Sequence, residues 1–264
     1  MFGRSVFMGT TRFQHLWGRL HLLALQGMNI GAGDQVRTSG ERLVLELVAS
    51  RLLARERAKI LDVGANVGEY AQEALDVLGE RVSLVCFEPS PVAFNRLTAR
   101  HASRPGITLA NTGLGDAEGM AQLYGDAAGS PLGSLYPRHL DRLGIDFAPT
   151  EEVRITTLDT YCQAEGIRRI HLLKLDAEGH ELRILHGARN LIEAGAIDLV
   201  QFEFGGTCID ARNYLRDFVE FLGERYDLHR IVADGLVPIG PYREVLEVFL
   251  TTNYLGVLRE RAAR

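Results

Sequence analysis

The chain has 264 residues, of which 46% are apolar, and a formal net charge of −5. This length accommodates one large α/β domain with additional segments. The negative charge and the lack of a basic block argue against nucleic acid as the main partner, and no apolar run reaches the length of a membrane span. Three widely spaced cysteines predict reduced thiols in a cytoplasmic protein, not a disulfide frame or a zinc site.

The first 33 residues carry arginine and histidine but no acid before Asp34. Apolar residues recur there at helical spacing, namely Phe13, Leu16, Trp17, Leu20, Leu23 and Ala24. They predict an amphipathic helix that packs on the domain or on a second subunit, as in a homodimer, and contributes to a lid over the substrate. Weak attachment to an anionic surface is the alternative. Thr38 to Glu41 fits a capping box that starts a second helix. We expect residues 1–57 to form a helical cap or lid segment and residues 58–264 the main domain.

A glycine-rich turn follows the first predicted strand of that domain. The apolar run K-I-L-D-V predicts a buried parallel strand, and the residues from Glu69 onward predict a helix. Between them the loop reads D-x-G-x-N-x-G, with Asp62, Gly64, Asn66 and Gly68 at the named positions. Such a strand-to-helix turn lies at the carboxyl edge of the sheet, where open α/β sheets bind ligands.

Glu88 ends the next apolar run, about 20 residues beyond the loop, where a carboxylate can accept both hydroxyls of a ribose. The loop lacks the G-x-G-x-x-G pattern of nicotinamide and flavin folds. Asp62 suits a cationic group, such as the ammonium of an amino-acid moiety, which favours S-adenosylmethionine (SAM) as the cofactor. Two alternatives stay open: an NAD(P)-dependent oxidoreductase, which has no visible Tyr-x-x-x-Lys pair here, and a non-catalytic SAM-binding protein.

From residue 58 the alternation of strands and helices predicts a parallel sheet with helices on both faces. A hairpin extension follows the third strand, and Asp116 either contacts the adenine of the cofactor or only turns this hairpin. The other predicted elements are a strand at 107–111, an irregular loop at 125–133, a strand at 153–158, a helix at 211–224, and two closing strands at 226–232 and 245–251.

A second polar group follows the strand Leu172 to Leu175. Asp176 ends this strand at the same edge as the glycine loop, and Glu178 and His180 come directly after it. Glu178 and Glu181 have an alternative role, because acids at a helix N-terminus complement its dipole and cap free N–H groups. Lys174 either pairs with Asp176 or points to solvent.

Together these segments resemble the FkbM family of methyltransferases. The motifs are D-V-G-A-N-V-G, F-E-P-S-P, L-G-D-A-E-G, P-L-G-S-L, T-T-L-D-T and L-L-K-L-D-A-E-G-H-E-L-R-I-L-H-G-A, and the resemblance runs from about residue 40 to Gly256. It implies a Rossmann-like class I methyltransferase fold: a mostly parallel seven-stranded sheet, here with an N-terminal helical segment and a β-hairpin and loop insertion. It also implies SAM-dependent methylation of hydroxyl groups on sugars or natural products, with the loop residues and Glu88 holding the cofactor.

A sugar or alkyl hydroxyl is a weak nucleophile, so methyl transfer needs a base or a metal to help remove its proton. Asp176, Glu178 and His180 are the candidate catalytic residues, and His180 alone has an ordinary pKa near neutrality. Alternatively, Asp176 and Glu178 bind Mg²⁺, with Glu203 as a third acid. The sequence leaves the choice between base and metal open.

Overall fold

The computed structural model describes residues 8–31, 40–53 and 56–259. Its strands, in chain order, are β1 (Ala58–Val63), β2 (Val82–Phe87), β3 (Ile107–Ala110), β4 (Gly113–Leu114), β5 (Gly119–Gly125), β6 (Ala148–Thr156), β7 (Leu172–Leu175), β8 (Leu199–Phe204), β9 (Tyr226–Val232), β10 (Gly235–Pro238) and β11 (Thr252–Leu258). Its α-helices are α1 (Gln14–Gly27), α2 (Glu41–Arg51), α3 (Glu69–Leu78), α4 (Pro91–His101), α5 (Leu158–Ala164), α6 (Glu181–His186), α7 (Arg189–Ala194), α8 (Thr207–Ala211) and α9 (Leu215–Leu222).

The main sheet has the order β10-β9-β11-β8-β7-β1-β2-β3. Strands β3, β2, β1, β7 and β8 pair in parallel, and β11 runs antiparallel between β8 and β9. This arrangement confirms the predicted class I methyltransferase fold. The sheet described has eight strands instead of the seven predicted, because β10 adds an antiparallel edge strand to β9.

Register brings the ends of the central strands together. Val63 of β1 lies opposite Phe87 of β2 and Leu175 of β7, so the three strands end at one level. The chain order reverses between β1 and β7, which is the switch point where open α/β sheets form a ligand crevice. Asp62, Glu88 and Asp176 are thereby placed at one edge.

Alternating residues of the strands form two cores. Ile60 and Leu84 pack with buried residues of α2, α3 and α4, whereas Leu61 and Val85 pack with those of α5 to α9. This alternation follows from the two-residue period of a strand, and it places helices on both faces as predicted. Helix α2 therefore belongs to the core of the main domain, and α1 is the part of the expected N-terminal segment that stands outside it.

The start of α2 differs from the predicted capping box. The helix begins at Glu41 after Gly40, whose φ of 84° lies in the left-handed region. Glu41 is thus the first helical residue and not the third, and its carboxylate accepts a hydrogen bond from Gln201 at 2.9 Å. Thr38 and Ser39 lie outside the described residues.

Two predicted helices are interrupted. The helix predicted at 211–224 is shorter, because Arg212 ends α8 at a φ of 57° before α9 begins at Leu215. The helix after His180 divides into α6 and α7 around Gly187, where a Cβ would lie 1.9 Å from the carbonyl oxygen of Gly115. Backbone contacts with distant segments cause the break at Gly187, and no apolar pattern reveals them.

The insertion is a small second sheet, larger than the predicted hairpin. Strand β5 pairs antiparallel with β6, and β4 joins β6 in parallel. The strand predicted at 153–158 begins earlier, at Ala148. Leu123, Val153 and Ile155 form its own small core.

The prediction of the last strand at 245–251 is wrong. A 3-10 helix occupies Glu244–Leu246, and β11 begins only at Thr252. The apolar run that suggested a strand is partly exposed at Val245 and Leu250. The true strand is fixed by pairing on both sides, with β8 and β9, and not by its own apolar pattern.

Helix α1 does not pack on the other described residues as expected. The side chains of Leu16, Leu20 and Leu23 are 50%, 42% and 63% exposed, and Leu25 is the residue of α1 that is buried. The stripe that predicted packing therefore faces away from the core. Within the described residues, no helix has the length and apolar character that crossing a bilayer requires.

Candidate active site

A cavity of about 730 Å³ opens at the switch point between β1 and β7. The ends of β1, β2, β7 and β8 form its floor, and the loop at 129–138 forms part of its wall. A cavity of this size holds a small-molecule ligand. It has two halves, one around the glycine loop and one around the acids after β7.

Backbone geometry explains the residues of the glycine loop. Gly64 has a φ of 82°, and a Cβ there would lie 1.8 Å from the carbonyl oxygen of Asp176. Asn66 and Gly68 also have positive φ, and a Cβ at Gly68 would lie 2.5 Å from the ring of His101. Gly64 thus permits contact between the ends of β1 and β7, while Gly68 permits α3 to approach α4. Asn66 and Gly64 line the cavity, whereas Gly68 lies behind it.

Glu88 lies where a ribose acid is expected. Its carboxylate accepts hydrogen bonds from the backbone N–H groups of Asn66, at 2.9 Å, and Ser90, at 2.8 Å. Burial raises the pKa of Glu88 to about 7, although both hydrogen bonds oppose the shift. The side chain lines the cavity and is fixed against the glycine loop.

Asp62 lies beneath this loop in an ion triad with Lys174 and Asp176. The Nζ atom of Lys174 lies 3.4 Å from Oδ1 of Asp62 and 3.1 Å from Oδ2 of Asp176. Burial alone lowers the pKa of Lys174, but the two carboxylates outweigh it and raise the pKa above its ordinary value. Of the two alternatives for Lys174, the pair with Asp176 is the one observed.

The carboxylate of Asp62 is otherwise unsatisfied. It is fully buried, and neither oxygen accepts a hydrogen bond from the described residues. Burial raises its pKa, which Lys174 opposes. A buried acceptor without a donor is costly, so this carboxylate has capacity for a further donor on the cavity side.

Asp176 and Glu178 form the acidic half of the cavity. The side chain of Asp176 is 40% exposed, the more open of the two. Glu178 has a φ of 50°, and its carboxylate accepts a hydrogen bond from Nη1 of Arg138 at 3.1 Å. Burial raises the pKa of Glu178 to about 8, because Asp176 adds to the effect and Arg138 only partly opposes it.

His180 lies in the cavity wall in a restrained position. Its Nδ1 is 3.0 Å from the hydroxyl of Tyr136, and Nε2 faces Gly115, where an added Cβ would approach it to 3.0 Å. Burial lowers the pKa of His180 to about 4, so the ring is neutral at pH 7. Both ring nitrogens thus lie close to other protein atoms, Nδ1 to the hydroxyl of Tyr136 and Nε2 to Gly115.

Glu203 joins the acidic half from β8. It lines the cavity, and its carboxylate has no hydrogen-bond donor or ion-pair partner among the described residues. Burial raises its pKa well above the ordinary value, and the nearby charges of Asp176 and Glu178 act in the same direction. Across residues 8–31, 40–53 and 56–259, however, no three His, Cys, Asp or Glu side chains are arranged to hold a metal ion. The arrangement of these side chains therefore gives no support to a Mg²⁺ site that uses Glu203 as a third acid.

Two other predicted residues serve local structure. Glu181 accepts hydrogen bonds from the N–H groups of Ala177 and Gly179, at 2.7 and 3.2 Å, so it stabilises the turn that leads into α6 and does not cap N–H groups of the helix itself. Asp116 accepts a hydrogen bond from Arg183 and is not among the residues that line the cavity. The structure thus does not bring Asp116 to the other predicted cofactor residues.

Two cavity residues, Arg138 and Glu41, and the neighbouring Tyr136 had no functional role in the sequence analysis. Arg138 and Tyr136 come from the long loop after β5 and contact Glu178 and His180, and Glu41 comes from the start of α2. The motif P-L-G-S-L lies just before Tyr136 and is the nearest sequence feature that could have pointed to Tyr136 and Arg138. Glu41 interacts with a residue 160 positions away, for which the sequence has no local sign.

The buried acids make stability depend on pH. Burial raises the pKa of Glu88 and Glu181 to about 7 and that of Glu178 to about 8, so the folded protein retains protons that the unfolded chain releases. The stability that these three protonated acids contribute is fully present below the pKa of a glutamate in the unfolded chain. It is lost as the pH rises through the raised pKa values of the folded protein. Buried histidines have the opposite effect on stability, but only below about pH 6.5, where histidines of the unfolded chain become protonated. We expect Tm to fall by about 5 °C or more between about pH 6.5 and 8.5.

Calorimetry of the Glu181→Gln variant checks this expectation. Oε1 of Glu181 accepts both hydrogen bonds, so the side-chain oxygen of glutamine can keep them. The substitution nevertheless removes one titrating group. Its Tm should fall less steeply with pH than that of the unchanged protein. Equal slopes would show that Glu181 does not titrate in this range.

The chain is similar to a known protein family and to two characterised proteins. Residues 62–226 match the methyltransferase FkbM domain. Hexuronic acid methyltransferase AglP of Haloferax volcanii is 27% identical over 169 residues, which cover 63% of this chain and 64% of that protein. The 2-O-methyltransferase NoeI of Sinorhizobium fredii is 24% identical over 180 residues, 65% of this chain and 74% of that protein.

The chain therefore spans less than two thirds of AglP. A crystal structure of methyltransferase FkbM from Methylobacillus flagellatus KT matches 79% of this chain and 45% of its own, with 16% identity and a TM-score of 0.47. Since the match to the FkbM domain covers more than half of the chain, the chain belongs to the FkbM methyltransferase family.

Proposed function

We propose that this protein transfers a methyl group from SAM to a hydroxyl oxygen of a small molecule, of the sugar or natural-product type. The observation that carries the proposal is the cavity itself, in which a glycine loop with a ribose-type acid faces a cluster of acids across one sheet edge. The names of the two relatives, a hexuronic acid methyltransferase and a 2-O-methyltransferase, support a sugar as the acceptor.

The residues of the first half fit SAM. Two backbone hydrogen bonds hold Glu88 at the cavity, which supports a role in accepting ribose hydroxyls. Gly64 keeps the loop backbone against Asp176 beside this carboxylate. The unsatisfied carboxylate of Asp62 suits the ammonium of the amino-acid moiety, directly or through water. SAM supplies the electrophilic methyl group, and the chain supplies binding and orientation.

The second half suits a hydroxyl acceptor. Carboxylates accept hydrogen bonds from hydroxyl groups and can take the proton that leaves on methylation. Asp176 is the most open of them and is our first candidate for the base, because Lys174 also holds it in position. Glu178 and His180 are assigned to bind and orient the acceptor, since Arg138 and Tyr136 already occupy part of their bonding capacity. Glu203 adds a further acceptor for hydroxyl groups.

The cysteines indicate the compartment in which the protein works. Cys86, Cys162 and Cys208 are buried and unpaired, which supports a reducing compartment such as the cytoplasm. We therefore assign the protein to the cytoplasm, with a small-molecule acceptor as its partner.

Calorimetric titration with S-adenosylhomocysteine tests the cofactor assignment, with NAD as the control ligand. We expect micromolar binding of the nucleoside and none of NAD. Glu88→Gln should weaken binding roughly 10- to 100-fold, because hydrogen bonds to a charged acceptor are lost. Since the pKa of Glu88 is raised to about 7, the affinity of the unchanged protein should also fall as the pH drops below that value.

The variant Glu80→Gln is the matched control, because Glu80 lies in the exposed turn before β2 and outside the cavity. It should bind the nucleoside as the unchanged protein does. Binding of NAD in its place would favour the oxidoreductase alternative. Nucleoside binding without methyl transfer to any hydroxyl acceptor in a broad panel would favour a non-catalytic SAM-binding protein.

A further inference from the structure

Helix α1 presents an apolar face that the other described residues do not cover. Leu16, Leu20 and Leu23 lie on one side of the helix, and each is at least 42% exposed. Met8 and Met28, near its two ends, are exposed as well. No residue of α1 lines the cavity, so the helix does not act as its wall in this structure.

The charge of this segment is opposite to that of the whole chain. Residues 8–31 contain Arg12 and Arg19, two histidines and no acid, whereas the chain carries a net charge of −5. In α1, Arg19 borders the face that carries Leu16 and Leu23, and His15 lies farther round the helix, on the side that also carries the exposed Leu22. A segment that exposes several leucines, carries arginines and contains no acid resembles segments that lie in the interface of anionic membranes.

The C-terminal end of α1 is anchored to the main domain. Leu25 and Ile30 are buried there, and the N–H of Gly31 donates to the carbonyl oxygen of Thr251 at 3.0 Å. The side chain of Asn29 donates to the carbonyl oxygen of Ile231 at 3.2 Å. Thr251 also lines the cavity, so the anchor lies beside the candidate active site. The helix is thus attached at one end while its apolar face stays exposed.

We infer that α1 docks this protein on an anionic membrane surface, with its leucine face in the interface. The charge of the segment favours a membrane surface over a second copy of the chain as the partner of the leucine face. Pairing two copies of α1 through the leucine face brings cations of like sign together with no acid in the segment to compensate them. Phosphate and carboxylate groups of anionic lipids supply the missing negative charge.

Sedimentation with lipid vesicles tests the inference on the full chain. One set contains phosphatidylcholine with about 30% phosphatidylserine, and the other contains phosphatidylcholine alone. Two arginines near the surface predict roughly 30-fold stronger partition into the anionic vesicles at low salt, and a smaller ratio at about 0.5 M salt. The double variant Leu20→Glu with Leu23→Glu should abolish binding to both.

The matched control is Leu143→Glu with Val245→Glu, which makes the same chemical change at two exposed positions outside α1. It should bind vesicles almost as the unchanged protein does. Light scattering without lipid completes the experiment. The inference is overturned if the unchanged protein does not sediment with anionic vesicles. It is also overturned if the unchanged protein forms a dimer that the α1 variant disrupts and the control variant does not. The cofactor titration is independent of α1, so failure here leaves the proposed function standing.

Discussion

Replacing Gly64 with alanine is expected to destabilise the protein by roughly 3 to 5 kcal/mol and to remove binding of S-adenosylhomocysteine. The new Cβ would lie 1.8 Å from the carbonyl oxygen of Asp176, and backbone atoms there cannot rotate away as a flexible side chain could. The φ of 82° is also unfavourable for alanine. Thermal unfolding should show a decrease in Tm of roughly 10 °C or more.

Gly119→Ala is the appropriate control for this effect. An added Cβ at Gly119 would meet no heavy atom within 4 Å, and its φ is not positive. The control should change Tm little and leave nucleoside binding intact. If the Gly64→Ala variant had the Tm and the nucleoside affinity of the unchanged protein, the close contact between the ends of β1 and β7 would be contradicted.

The second large effect is expected from Asp176→Asn. If this carboxylate takes the proton of the acceptor hydroxyl, kcat should fall about 100-fold or more. The affinity for S-adenosylhomocysteine should change little, because Asp176 contributes to the acceptor half. The variant should fold, since Lys174 keeps its second partner, Asp62, and asparagine has the same shape as aspartate.

The measurement is steady-state kinetics with the first acceptor that a hydroxyl panel identifies, together with nucleoside titration. Asp116→Asn serves as the control, because Asp116 pairs with Arg183 at the surface outside the cavity. It should retain kcat and nucleoside affinity. Full activity of Asp176→Asn would transfer the role of base to Glu178 or Glu203.

These two predictions concern halves of the cavity that are in direct contact. Gly64 belongs to the cofactor loop, and the carbonyl group against which it packs belongs to Asp176. Lys174 adds a second link, since it pairs with Asp62 on one side and Asp176 on the other. The position of the acceptor acid and the shape of the cofactor loop therefore depend on each other.

Features that depend on neighbouring residues could be predicted from the amino-acid sequence. Apolar runs that end in glycine or an acid predicted β1, β2 and β7, because buried parallel strands need apolar side chains and their ends need turns. Topology then follows, since strands joined by helices must be parallel and cross over in one direction. The local pattern was accordingly sufficient to assign Asp62, Glu88 and Asp176 to one edge of the sheet.

The pairing of polar groups and the covering of apolar faces depend instead on contacts between segments that are distant in the chain. Glu178 pairs with Arg138, 40 residues away, whereas Glu181, three residues along the chain, accepts hydrogen bonds from the backbone of its own turn. The two acids look alike in sequence, and only the distant arginine distinguishes them. Likewise, the periodicity of α1 predicts an apolar face but contains no information on whether another segment covers it. Long-range contacts set both outcomes, because the free energy of pairing or burial depends on the surrounding structure and not on the local pattern.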